Sequence, residues 1–346
     1  MMTLDEIKRH LQGHFSDGLV TIVGSGLSCA EGLPSMSELA EHLSVTLGHE
    51  LSESDRILWE EIKLRIGEGL EAALLKKAPT PALETAISAA TGALIAERER
   101  QAVSEVFNGR RKLRLTRLIS HMLKPSDCLP IVTTNYDRLV EIAAEESGIG
   151  SDTMFAGSFC GLLDEKQSKL SFCYGIHQTR SNATLKYRKR ALICKPHGSL
   201  SWYMRDGKPV SYAGELNDTP RLIITPGQNK FRNGYESPFD LHRNKANELI
   251  NKAARFLILG YGFNDDHLET HLTPAIRNGK PTLMLTHTMT PNAKKLADEC
   301  CNITVLEYKN ETDVEGTLLT FNKTQQFIPG LTIWDVHHFI TEVLEP

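Results

Sequence analysis

The chain has 346 residues, of which 40% are hydrophobic and 24% charged, the balance of an ordinary globular protein. That length exceeds what one core usually serves, so one large domain with an insertion, or two domains, is expected. A formal net charge of -4 and a pI near 6.4 give no general pull toward nucleic acid, so direct nucleic-acid binding is not expected; the clusters Arg110-Arg111-Lys112 and Lys186-Tyr187-Arg188-Lys189-Arg190 read as solvated faces or loops.

The first residues, MMTLDEIKRHLQGHFSDG, lack a long apolar run, and no segment reaches the roughly 18 apolar residues of a membrane span. Cysteines stand at 29, 128, 160, 173, 194, 300 and 301, an odd set with no C-x-x-C pair, as expected of reduced thiols. A cytoplasmic protein with no metal is the expectation.

In chain order, the apolar β-rich runs are Leu19–Gly24, Leu129–Asn135, Ala191–Gly198, Arg221–Gly227, Arg255–Gly262, Pro281–His287 and Ile303–Tyr308. Being apolar on both faces, they read as buried parallel strands, and the helical patterns between them predict a doubly wound, Rossmann-like α/β sheet, mostly parallel. Ser35 and Glu38 predict a capping box at the first helix after the first run, and Leu39, Leu43 and Leu47 repeat at i+4 as its core face. About a hundred residues without a clear strand then intervene. Their helical periodicity predicts an insertion domain at residues 46–127, broken near APTPALETA, with residues 1–45 and 128–346 forming the nucleotide-binding domain. Residues 150–190 read as loop-rich. The tail LTIWDVHHFITEVL reads as an amphipathic helix with Trp334, Phe339, Ile340 and Val343 on or near one face.

Ligands of an open α/β sheet bind outside the carboxyl ends of its strands, so the residues after each run carry the chemistry. After the first come Gly24-Ser25-Gly26-Leu27-Ser28, where glycines permit a tight turn and the following helix start offers N–H groups to an anion. The dinucleotide fingerprint G-x-G-x-x-G/A fails at Cys29, the acidic residue of a following strand is missing, and no G-x-x-x-x-G-K-[ST] occurs. Hydride transfer and P-loop chemistry are therefore disfavoured. After the second run come Thr133-Thr134-Asn135-Tyr136-Asp137. Asn135 at the tip can donate and accept hydrogen bonds, and Asp137 reads first as an N-cap for the next helix. After the third, in Lys195-Pro196-His197-Gly198-Ser199, His197 is a candidate general base. Later, Gly260-Tyr261-Gly262 permits close approach to a second part of a ligand. His267 and His271 have i, i+4 spacing, but Glu269 falls out of place for H-E-x-x-H.

Taken together, Gly-Ser-Gly-Leu-Ser with Gly32-Leu33-Pro34, then Thr-Thr-Asn-Tyr-Asp, His-Gly-Ser and Gly-Tyr-Gly-Phe-Asn-Asp resemble the sirtuin-like family, nearest its bacterial antiphage defence branch. The resemblance spans roughly residues 18 to 290. It implies a pocket for NAD+ as substrate, with Gly24, Ser25, Gly26 and Ser28 on the phosphate and ribose side and Asp137 counted among the pocket residues. By the same resemblance Asn135 holds the nicotinamide ribose or a water, His197 is the base, and Gly260, Tyr261 and Asn264 lie on the adenosine side. Lysine-deacylating sirtuins carry two zinc-binding cysteine pairs and a Phe-Arg shortly after the proline. This chain has neither, since Ser35-Met36-Ser37 follow Pro34. What remains implied is an NAD+ glycohydrolase that depletes NAD+ in abortive infection. The resemblance also implies a homo-oligomer, with a hexameric HerA-type translocase ATPase as candidate partner. The alternatives are a catalytically silent sensor of NAD or ADP-ribose and, third, an NAD-dependent deacylase.

Overall fold

The protein is seen here as a computed structural model that describes residues 2–48, 51–122, 127–179, 182–216, 219–225 and 236–345. Helix α1 (Leu4–Gln12) opens on a Thr3–Glu6 capping box and buries Ile7 and Leu11. Strand β1 (Leu19–Val23) is buried along its length and runs into the short helix α2 (Ser25–Ala30). α3 (Met36–Thr46) begins at the expected Ser35–Glu38 capping box.

Helices α4 (Glu53–Lys63), α5 (Leu70–Lys76), α6 (Pro81–Phe107) and α7 (Arg114–Met122) follow. The expected break near APTPALETA lies only before Pro81. Thr80 caps a helix there, Pro81 fits its first turn where no N–H is needed, and ALETA belongs to α6. Leu39, Leu43 and Leu47 pack with Trp59, Ile62, Leu74, Leu83 and Ile87 in a core of their own. Ala102 and Val106 at the end of α6, and Leu115, Leu118 and Ile119 of α7, belong instead to the core on one face of the main sheet.

Then come β2 (Cys128–Thr133) and α8 (Leu139–Glu146). Residues 150–190 are not loop-rich: they hold β3 (Gly150–Asp152), β4 (Phe155–Ala156), β5 (Cys160–Leu163), α9 (Glu165–Ser171), β6 (Cys173–Gln178) and β7 (Ala183–Tyr187). These strands are short, and β6 and β7 are largely exposed, so they lack the apolar run that marks a buried strand. The chain continues through β8 (Arg190–Cys194), β9 (Gly198–Arg205), β10 (Lys208–Tyr212), β11 (Arg221–Ile223), α10 (Phe239–Lys252), β12 (Arg255–Leu259) and α11 (Asp266–Arg277). It ends with β13 (Thr282–Thr286), α12 (Pro291–Glu299), β14 (Ile303–Glu311), β15 (Val314–Phe321), β16 (Thr324–Pro329) and α13 (Val336–Phe339). The tail is thus one α-turn that widens into a π-turn at Ile340–Leu344. Phe339, Ile340 and Val343 are buried in the main core, and Trp334 lies ahead of the helix.

The main sheet among the described residues runs β16-β15-β14-β13-β12-β1-β2-β8-β3. Every pair from β14 to β3 is parallel, and β15 and β16 add an antiparallel edge. The segment β8-β2-β1-β12-β13-β14 has the 3-2-1-4-5-6 order of a doubly wound fold, whose switch point lies between β1 and β12. The expected fourth buried parallel strand is a correction. Arg221–Ile223 pairs antiparallel with β9 in a separate sheet, β11-β9-β10-β5-β4, and residues 226–227 of that run lie outside the described residues. The chain leaves the main sheet after Cys194, so β9 and its partner β11 build beside it.

Candidate functional site

At the switch point the loops after β1 and β12 lock together. A Cβ on Gly24 would stand 2.4 Å from the Gly260 carbonyl oxygen, one on Gly26 2.9 Å from the Gly260 Cα, and one on Gly260 2.6 Å from the Leu27 nitrogen. Gly260 also has φ of +57°, a left-handed conformation that glycine adopts without strain. These glycines therefore serve close packing of backbone on backbone. The helix start is also less available to an anion than expected, because the Gly26 N–H donates to Gly260 O (3.0 Å) and the Leu27 N–H to Gly24 O (3.2 Å).

Ser28, Asn135 and Asp137 meet although they come from different loops. The Asn135 carboxamide donates both its hydrogens, to Gly24 O (2.9 Å) and to Ser28 Oγ (2.8 Å). Ser28 Oγ donates to Asp137 Oδ2 (2.7 Å), and Asp137 Oδ1 accepts from the Leu139 N–H (3.1 Å), a cap-like bond at the start of α8. With its N–H groups spent, Asn135 has only Oδ1 to offer a ligand, as an acceptor.

A buried cation holds this turn from below. Lys195 is fully buried; its Nζ donates to Asn135 O (3.4 Å) and Asp137 O and pairs with Glu141 Oε1 at 3.0 Å. Burial raises the Glu141 carboxyl against the pull of Lys195. On the other side Glu99 of α6, also buried, binds Arg138 Nε at 2.8 Å and the Arg138 N–H. Neither Lys195 nor Glu99 was among the candidates. A lysine inside the apolar run ALICKPHG was the available signal, because an unpaired buried charge is too costly to keep.

The Lys195 N–H donates to His242 Nδ1 (3.1 Å). Burial, and then the Lys195 charge, push His242 from 6.5 down to about 3. The unfolded chain protonates this ring below about pH 6.5 and the folded chain only near 3, so stability falls as pH is lowered through that window. Urea midpoints at pH 7 and pH 4.5 should therefore differ less in His242→Gln than in the parent; equal differences would refute the assignment.

His197 follows the Lys195-Pro196 turn, and its Nε2 lies 2.5 Å from Asp265 Oδ2. Asp265 Oδ1 caps α11 by accepting from the His267 and Leu268 N–H groups, both at 3.0 Å. Burial first, then the charges of Asp265 and Asp266, raise Glu269 to about 7, although it accepts a hydrogen bond from the Asp265 N–H. The Tyr261 hydroxyl is buried with no hydrogen-bond partner among the described residues, and burial followed by Asp265 and Glu269 raises its pKa, so it stays a neutral donor. Asn264 Oδ1 accepts from Asn292 (3.0 Å).

One cavity of about 820 Å³ joins these groups, lined by Ser28, Asn135, His197, Tyr261 and Asn264, and by Glu71 and Trp334. Its size falls in the roughly 300–1,000 Å³ range of small-molecule sites. Ser25, Gly26, Asp137 and Gly260 also line it; Gly24 contributes through its carbonyl bond to Asn135. Cys29 is there too, but burial, then Glu38 and Asp137, raise its thiol, which leaves it a poor nucleophile. His271 turns to Asn251 (3.2 Å), and no three His, Cys, Asp or Glu side chains among the described residues gather as a metal site. No helix among them is long and apolar enough to cross a membrane.

A family model described as a SIR2-like domain matches residues 130–306, more than half of the chain. A solved structure of Sir2 bound to acetylated peptide aligns over 99% of this chain and 98% of its own at 14% identity, with a TM-score of 0.42. One of Sir2Tm bound to a propionylated peptide aligns over 85% and 90%, also at 14% identity, with a TM-score of 0.38. No curated protein matches the chain.

Proposed function

Because the chain belongs to the SIR2-like family, we propose that it is an NAD+ glycohydrolase, releasing nicotinamide and ADP-ribose. The observation that carries this reading is the convergence of Asn135 and His197 on one cavity, the first restricted to accepting and the second paired with a carboxylate.

The bond broken is that between ribose C1′ and the nicotinamide nitrogen, whose electron pair leaves with the ring. Positive charge grows on the sugar, as in glycoside hydrolysis, and nicotinamide departs neutral, so no acid need protonate it. Water then bonds to C1′ and gives up a proton. Asn135 Oδ1 accepts from that water or from a ribose hydroxyl and so aims it. His197 takes the proton from the same water or from a ribose hydroxyl.

On this reading the protein depletes NAD+ as an antiphage effector in the cytoplasm, works as a homo-oligomer and is held in check by assembly, with a HerA-type hexameric ATPase as candidate partner. The resemblance to the bacterial defence branch supports this part. The test is to incubate the purified chain with NAD+, alone and with the product of a neighbouring gene, and to identify products by mass. Equal amounts of nicotinamide and ADP-ribose are expected. Nicotinamide that appears only with an acylated peptide would establish a deacylase, and saturable NAD+ binding with no release under any condition would establish a sensor.

A further inference from the structure

Asp265 stands where two otherwise separate parts of the site touch. It is 5% exposed, and its two oxygens have different tasks. Oδ1 caps α11 through the His267 and Leu268 N–H groups, and Oδ2 faces His197 Nε2 at 2.5 Å. The cap fixes the plane of the carboxylate, so the oxygen aimed at the imidazole is held by a helix rather than by a loop alone. We propose that Asp265 is the positioning residue of His197, holding the imidazole in one orientation and one tautomer for proton transfer in the cavity.

A neutral imidazole carries one N–H, and an ionised carboxylate can only accept. Asp265 therefore keeps the proton on Nε2 and leaves the Nδ1 lone pair as the basic atom. When Nδ1 takes a proton from the attacking water or a ribose hydroxyl, the imidazolium that forms already faces a counter-charge, and no further group has to move. This role rests on the hydrolase reading for its consequence, but not for its geometry. Other ionisable groups near the pair or lining the same cavity include Asp266 and Glu269 on α11, Tyr261 on the loop after β12, Asp137 on the loop after β2 and Glu71 on α5.

Asp265→Asn separates the two tasks. Capping needs an acceptor oxygen, so the amide oxygen stays on the helix and the NH2 turns to His197. A donor facing Nε2 drives the ring proton to Nδ1, the wrong tautomer for a base at that atom. In this variant kcat is expected to fall roughly 10²-fold while KM for NAD+ stays within about threefold. The ring-nitrogen NMR spectrum of the full chain without NAD+ should show the proton on Nε2 in the parent and on Nδ1 in the variant. His197→Ala identifies the signals. Asp265→Ser, a good cap too short to reach the imidazole, should give both tautomers and an intermediate kcat. An unchanged tautomer in Asp265→Asn, or a parental kcat there while His197→Ala is inactive, would overturn the proposal. If the parent chain releases no nicotinamide, the hydrolase reading fails separately and the spectrum alone decides the role of Asp265.

Discussion

Alanine at His197 is expected to slow nicotinamide release from NAD+ by roughly 10²–10⁴-fold, the range that a lost general base typically costs. The side chain touches Asp265 and the cavity, and its backbone bond, from Ile224 N–H to His197 O at 2.9 Å, survives the change, so the fold should hold. Asn135→Ala should produce a loss of similar size by a different route. It removes the acceptor that aims the water, together with two hydrogen bonds worth about 1 kcal/mol each, while Ser28 keeps its bond to Asp137. Circular dichroism and a melting curve establish that each variant is folded, and product analysis by mass then gives the rate. Near-parental NAD+ loss in both folded variants would end the assignment.

The second large effect is on stability. Lys195→Met should cost about 3–5 kcal/mol, the usual result of stripping one partner from a buried ion pair. The lost contacts are those to Asn135 O, Asp137 O and Glu141, all made at a fully buried position. The stranded Glu141 accounts for much of the penalty, so Lys195→Met combined with Glu141→Leu should recover a large part of it in urea denaturation. The double variant should nevertheless remain slow on NAD+, because the turn bearing Asn135 stays unbraced. Recovery of rate along with stability would reduce Lys195 to a packing role.

Most of the main sheet was readable because its strands are apolar on both faces. The antiparallel edge was not. Its two hairpin turns place Thr312-Asp313 and Asn322-Lys323 at positive φ (48°, 63°, 47° and 62°), whereas such turns announce themselves by Asn-Gly or Asp-Gly. Without glycine, and with half-buried strands on either side, VEGTLLTF and TQQFIP carry no strong signal. The Arg221 run failed for another reason, since apolar character marks burial and says nothing of which sheet does the burying. Among the site residues, Asn135 and His197 could be found from their place just beyond a strand. Asp265 escaped because it meets a partner distant in the chain, and spacing carries no trace of such a meeting; for Lys195 the charge inside an apolar run was a signal, but its partners were not legible. The glycines stand at the strand ends as expected from the sequence, and the neighbour they accommodate is each other's backbone.

The Asn135 carboxamide is already clamped at both hydrogens before any ligand arrives. A side chain set in this way before any ligand arrives shows no off position of its own. On the proposed hydrolase reading, restraint would then act at the threshold, on what is admitted to the crevice or on when copies are brought together. A regulator would then be found as something that blocks or opens the way in, leaving the amide as it stands.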